Sequence, residues 1–282
     1  MLARFRLLSA IRYLLSAICY LLSSSLRMSY IIRDWLNLGL RWFHVFAAIM
    51  WVGQTFFFTW LDRRFHSGEK NVWMVHSGGF YIVDKQKVPE LRDQTLHWFR
   101  WEAALTWLSG ILLLILVYYT GGIMPDAKQV AWSVGILIVG WLVYDLMWIS
   151  PLAKNDVIGA VVSYVLLVAA IYGFTKIFDG RGAYMQTGAM LGTFMAANVW
   201  MRILPAQRQL IAATKAGREA DMTLADRAKN RSKHNTFIVL PVVFIMLSNH
   251  FPVTTYGSQY NWIVLSVLVL VGWVVAKFIR EH

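Results

Sequence analysis

The strongest constraint on this chain is a series of long apolar windows, near residues 36–60, 98–119, 130–150, 157–177, 184–204, 236–251 and 260–279. Each approaches the length needed to cross the roughly 30 Å hydrocarbon core of a bilayer. Backbone N–H and C=O groups in lipid have no water to bond, so they must pair within the segment, which selects helices over strands. The windows predict an all-α integral membrane protein, a polytopic bundle of about seven transmembrane helices, the sixth short and opened by Pro241. Composition agrees: 58% of the 282 residues are hydrophobic and 14 are tryptophan, more than a soluble domain carries.

The net charge of +12 does not point to nucleic acid, because the Lys and Arg residues fall between apolar windows instead of on one basic face. Arg63, Arg64, Lys70, Lys85, Lys87 and Arg92 lie between the first and second windows. Arg208, Lys215, Arg218, Arg227, Lys229, Arg231 and Lys233 lie between the fifth and sixth. The positive-inside bias assigns both linkers to the cytoplasm. The first core helix then starts outside and the chain ends inside, beside Lys277 and Arg280; Arg27 and Arg33 on the outer side run against this bias. In the first linker, "VWMVH" and "FYIVDK" flank "SGG", which predicts a short cytoplasmic β-hairpin with glycine supplying positive φ.

The first 27 residues hold a tandem heptad, "LLSAIRY", "LLSAICY" and "LLSSSLR". It reads as a repetitive leader outside the native fold or as an anchor or signal helix, with 28–282 as the membrane domain. A single cysteine, Cys19, excludes an intrachain disulfide, a four-cysteine iron–sulfur site and a C-x-x-C-H haem attachment.

On this topology the polar side chains form two layers. His44 falls in the outer half of the first helix and His250 at the outer end of the sixth. His97 opens the second helix and His234 the sixth at the inner face, where His76 of the hairpin could join them. Glu102, Asp145, Asn198 and Arg202 occupy inner halves of the second, third and fifth helices. Ionisable groups at membrane depth cost a few kcal/mol each, so they face a bundle interior, pair, or serve function. His44 reads as a satisfied structural histidine or as a ligand. Paired by depth with His250, it could hold the iron of a b-type haem through neutral imidazoles. Arg41 either snorkels to outer headgroups or counters a propionate or other anion. Glu102 and Asp145 either form a proton relay with His97, tuning imidazole basicity as proton-coupled oxidation needs, or pair with Arg202. The tryptophans read as interfacial belt, with Trp98 and Trp101 stacking on a planar ligand as the alternative. His66 and His282 fall in solvated segments without a role.

Several blocks carry a resemblance: "DWLNLGLRWFHVFAAIMWVGQTFFFTWLD" (34–62), "VWMVHSGGFY" (72–81), "LHWFRWEAALTWLSG" (96–110), "GAMLGTFMAANVW" (188–200), "ILPAQR" (203–208) and "RSKHNTFIVLPVVFIMLSNHFP" (231–252). Together, and in this order, they resemble the membrane domain of the bacterial cytochrome-c-linked urate oxidase family, also called urate hydroxylase. Blocks of this length are far more specific than one short motif. The resemblance implies a bacterial inner-membrane enzyme oxidising urate to 5-hydroxyisourate without direct use of O₂, its electrons leaving through a cytochrome c. In that family the cytochrome is typically a C-terminal domain beyond one more helix. This sequence departs there, stopping at His282 without C-x-x-C-H, so a separate cytochrome c is the expected acceptor. A second departure is Gln186, where the family pattern has a histidine, leaving His44 and His250 as the haem candidates.

On this resemblance His97, His234 or Glu102 serve as the catalytic base, Arg202 meets the charge of a monoanionic purine, and Asn198 or Asn235 supply amide partners. Two other readings stay open: a non-catalytic haem-binding electron-transfer subunit, and a transporter for a purine or other anion.

Overall fold

The computed structural model describes residues 30–86, 91 and 95–281. The leader with Cys19, and also Lys87, Arg92 and His282, lie outside the described residues. Among the described residues the chain forms seven continuous helices and one hairpin. Helix α1 is Tyr30–His66, followed by strands β1 (Asn71–His76) and β2 (Gly79–Asp84). Helix α2 spans Trp101–Tyr119, with Leu114–Tyr119 in π geometry. Helices α3 (Ala127–Ile149) and α4 (Asp156–Ile177) flank a 3₁₀ turn, Pro151–Lys154. Helix α5, residues 180–215, is α-helical over Gly180–Ala197, π-helical over Asn198–Ile203 and α-helical again over Leu204–Lys215. Helices α6 (Met222–Ser248) and α7 (Asn261–Glu281) complete the bundle.

Four helix starts follow from one local rule. Asp126, Asn155, Asp179 and Asp221 each precede a helix in extended geometry and accept a backbone N–H of its first turn. Such a cap satisfies one of the amides a helix start leaves open and contributes about 1 kcal/mol. The hairpin pairs Trp73 with Ile82 and His76 with Gly79. Its turn residues Ser77 and Gly78 have φ of 50° and 76°, the paired left-handed geometry of a type I′ turn. The expected hairpin is present, with glycine at the second left-handed position.

All seven expected windows are helical, and five of the helices, α1, α2, α3, α4 and α7, are by themselves long and apolar enough to cross a bilayer. The other two, α5 and α6, carry more polar residues. The reason lies in their positions. α5 packs against α2, α3, α4 and α6, and buries Gln186, Thr187 and Asn198 completely. A helix surrounded by helices does not need an apolar outer face. α6 also begins well before its apolar window, at Met222, because the polar stretch 222–235 is itself helical. Pro241 therefore does not open α6 but lies inside it, buried. Glycine matters there: a Cβ on Gly272 of α7 would lie 2.9 Å from Pro241 Cδ. Small residues let backbones approach this closely in helical bundles.

The core gathers Ile171, Tyr184, Ile245, Leu265 and Val269 from α4, α5, α6 and α7. α1 is peripheral, burying only Ala47 and Leu61. It lies along α2, and Arg33 Nη2 donates to the Leu116 carbonyl at 2.8 Å.

Candidate functional site

A buried polar network lies where α3, α5 and α6 meet. Its anion is Asp145, 6% exposed. Arg202 grips Asp145 through Nε at 2.8 Å and through Nη2 to the second oxygen. Arg231 Nη2 donates to Asp145 Oδ1 at 2.9 Å, and the Arg231 guanidinium lies over the Tyr144 ring at 5.2 Å. Asn198 Nδ2 donates to Tyr144 Oη and to Asn235 Oδ1, both at 2.9 Å, and Asn235 Nδ2 donates to the Met195 carbonyl. Tyr144 Oη, which accepts from Asn198, also shares a hydrogen bond with His234 Nδ1, 2.8 Å away. Aromatic faces enclose the group: Tyr144 stacks on Phe194 at 4.7 Å, and Trp148 lies against His234 at 4.1 Å.

Local sequence explains this convergence. Arg231, His234 and Asn235 stand at i, i+3 and i+4 on α6, which is one helical face. Asn198 and Arg202 sit in the π segment of α5, directly before Pro205. Proline has no N–H for the Met201 carbonyl and its ring crowds that acceptor, which the wider π turn relieves. Single π turns of this kind are frequent at functional sites.

The charge sum defines the chemistry. One carboxylate faces two guanidiniums, so the ion-paired group carries one surplus positive charge. Arg231 is buried, whereas the Arg202 side chain is 41% exposed, so the surplus opens outward through Arg202. Buried charges persist only when paired and hydrogen-bonded, and this set satisfies that while remaining receptive to an anion.

The network contains His234, Asn198, Asn235 and Arg202 of the residues expected from sequence, and it resolves Asp145 as an ion-pair partner. Tyr144 and Arg231 were not singled out as site residues. Arg231 reads as one more linker cation, and only its spacing to His234 and Asn235 sets it apart.

The structure does not bring His97 and Glu102 into the network. His97 is exposed in the coil before α2, with Phe99 edge-on at 4.6 Å, and does not open that helix. Glu102 lies in the first turn of α2, and its Oε2 is buried without a hydrogen-bond partner among the described residues. The adjacent Ala103 packs with Val199 and Leu204 at the π segment, and Trp101 meets Trp200 edge-on at 5.9 Å. His76 is exposed on the hairpin.

The outer layer holds His44 and His250 in different settings. His44 Nδ1 bonds Ser109 Oγ at 2.9 Å, and its ring lies against Gly110, where a Cβ would come within 3.1 Å of Cε1. His250 is exposed beyond α6, next to Asn249, whose Oδ1 accepts from Tyr118 Oη. His44 thus has a hydroxyl partner, whereas His250 keeps an exposed setting. Among the described residues, no group of three or more His, Cys, Asp or Glu could hold a metal ion. Gln186 has a structural part: it is fully buried, pairs through Oε1 with Ser133 Oγ, and donates from Nε2 to the Ser133 carbonyl at 3.0 Å. Tyr119 Oη completes that neutral cluster at 2.7 Å from Ser133 Oγ.

Fold and site together define a helical protein, five of its helices long and apolar enough to cross a bilayer, enclosing a buried cationic network. The chain belongs to the family described as urate oxidase N-terminal, whose sequence model matches residues 30–282. No curated protein and no solved structure matches the chain.

Proposed function

We propose that this protein is a bacterial inner-membrane urate oxidase in which the Asp145–Arg202–Arg231 network holds urate from the cytoplasmic side. The observation that carries this reading is the surplus positive charge, open through Arg202 and set beside two amides, in a chain of the urate oxidase N-terminal family. Urate is a planar monoanion with ring N–H and carbonyl groups. Arg202 meets its charge, Asn198 and Asn235 exchange hydrogen bonds with its edge, and the aromatic side chains cover its face.

The overall reaction is urate plus water to 5-hydroxyisourate, two electrons and two protons. A C–O bond forms at C5 from water, and two oxidised cytochrome c molecules take one electron each. Tyr144 Oη receives a substrate proton and passes its own to His234 Nδ1, and the second proton leaves to solvent. The basic linkers 63–92 and 208–233 lie in the cytoplasm, with the start of α1 outside and the end of α7 inside. Glu102 stands at the edge of this site as a second proton acceptor. His97 lies on the approach from the same side.

The test uses membranes carrying the full chain, given urate and oxidised cytochrome c. Urate loss with two cytochromes reduced per urate, lowered about a hundredfold by Arg202→Ala, supports the proposal. Urate carried into sealed vesicles without being consumed assigns the network to transport instead.

A further inference from the structure

The hairpin of β1 and β2 turns an apolar face outward. Its register sets Trp73 opposite Ile82 and Val75 opposite Phe80, and strand alternation puts these four side chains on one face. Each is at least 55% exposed, and Phe80, beside the turn, is 79% exposed. The other face carries the buried Val72, with Met74 and Val83 half-buried. A two-stranded ribbon with one packed face normally turns polar side chains to water on the other. Here the open face is apolar from Trp73 to Phe80, and its polar pair, Asn71 and Asp84, stands at the base.

The height of this face is set by α1. Lys85, just beyond β2, pairs with Asp62, and β1 packs against α1. Asp62 and Arg63 directly follow the apolar run of α1, so the base of the hairpin stands at the level where that helix leaves hydrocarbon. Phe57 and Trp60 are exposed on α1 one turn before this level, their rings 6.0 Å apart. Aromatic side chains collect at such a depth. Charge points the same way. Arg64 pairs with Glu69 at 2.5 Å, whereas Arg63 and Lys70 have no carboxylate within ion-pair distance among the described residues. Two uncompensated cations beside an apolar face suit an anionic leaflet. Size argues against a protein partner: a stable interface takes about 20–30 residues a side, and this face offers four side chains.

We propose that the face of Trp73, Val75, Phe80 and Ile82 lies in the headgroup–acyl boundary of the bilayer, with Arg63 and Lys70 against anionic headgroups. The hairpin is then an interfacial anchor that fixes the depth of α1. That helix needs such a stop, because its 37 residues rise about 55 Å, well beyond the roughly 30 Å core. Its length alone lets it slide or tilt. The anchor requires α1 to cross the bilayer and is independent of what the bundle binds.

Spin labelling of the full chain, reconstituted in nanodiscs of phosphatidylcholine and phosphatidylglycerol, tests this. In a Cys19→Ser background a nitroxide is attached at Phe80→Cys, and its collisions with molecular oxygen, which partitions into lipid, are compared with those with a water-soluble nickel chelate. Val45→Cys on the exposed face of α1 is the lipid reference, and Glu219→Cys in the loop between α5 and α6 is the water reference. The label at Phe80→Cys is expected to be oxygen-accessible like that at Val45→Cys, and adding Arg63→Gln/Lys70→Gln is expected to raise its nickel access. Val75→Cys on the partner strand should read the same, which keeps the test decisive if Phe80→Cys fails to fold. Nickel access at both hairpin positions equal to that at Glu219→Cys, with Val45→Cys still in lipid, overturns the anchor and leaves α1 as a span. Nickel access at Val45→Cys as well overturns both. Dipolar broadening between two labels at Phe80→Cys would mean that a second copy covers the face, which also overturns the proposal. Nickel access unchanged by Arg63→Gln/Lys70→Gln overturns the part given to the cations.

Discussion

Two buried polar groups sit inside the same apolar bundle and solve the same problem differently. The cluster of Tyr119, Ser133 and Gln186 is neutral, closed and bonded within itself. The network around Asp145 is charged, reaches a half-exposed arginine, and carries one more cation than anion. Burying a charge costs far more than burying an amide. The neutral cluster is sufficient to hold helices in register, so the charged one, kept at higher cost, is where ligand chemistry belongs.

The comparison can be broken at graded strength. The largest effect is expected from Asp145→Ala, which leaves Arg231 buried without its carboxylate; a loss of about 3–5 kcal/mol in stability follows, read as a collapse of the melting temperature in detergent. Arg202→Ala comes next and acts on function: the Asp145–Arg231 pair remains and stays neutral. Urate turnover should fall about a hundredfold, the loss of two charge-assisted hydrogen bonds, with the melting curve nearly unchanged. Gln186→Leu should do the reverse. It removes the acceptor of the buried Ser133 hydroxyl at a cost of about 1–3 kcal/mol, while turnover per folded molecule stays at the wild-type level. Tyr144→Phe should be mildest, lowering kcat about tenfold by removing one step of proton transfer with KM little changed. If Gln186→Leu abolished turnover while Arg202→Ala did not, the roles assigned to the two groups would have to be exchanged.

The sequence showed part of this directly. Helix number and the hairpin were legible because apolar windows and "SGG" act locally, through lipid-length burial and left-handed turn geometry. The ends of α5 and α6 were not, since hydropathy marks where a helix meets apolar surroundings and not where its hydrogen bonding stops. The same limitation hid Pro241 inside α6. Of the site, His234, Asn198, Asn235 and Arg202 were legible as polar residues at membrane depth. Tyr144 was not, because a tyrosine in an aromatic-rich helix looks like packing until its hydroxyl is found between Asn198 and His234. Ser109 on α2, which holds His44, gave no signal of its own.

The most direct measurement is equilibrium binding of urate to the purified full chain, compared between wild type, Arg202→Gln and Gln186→Leu. If the charged network is the urate site, Arg202→Gln weakens binding at least about tenfold and Gln186→Leu leaves it unchanged. Equal binding by wild type and Arg202→Gln would contradict that assignment.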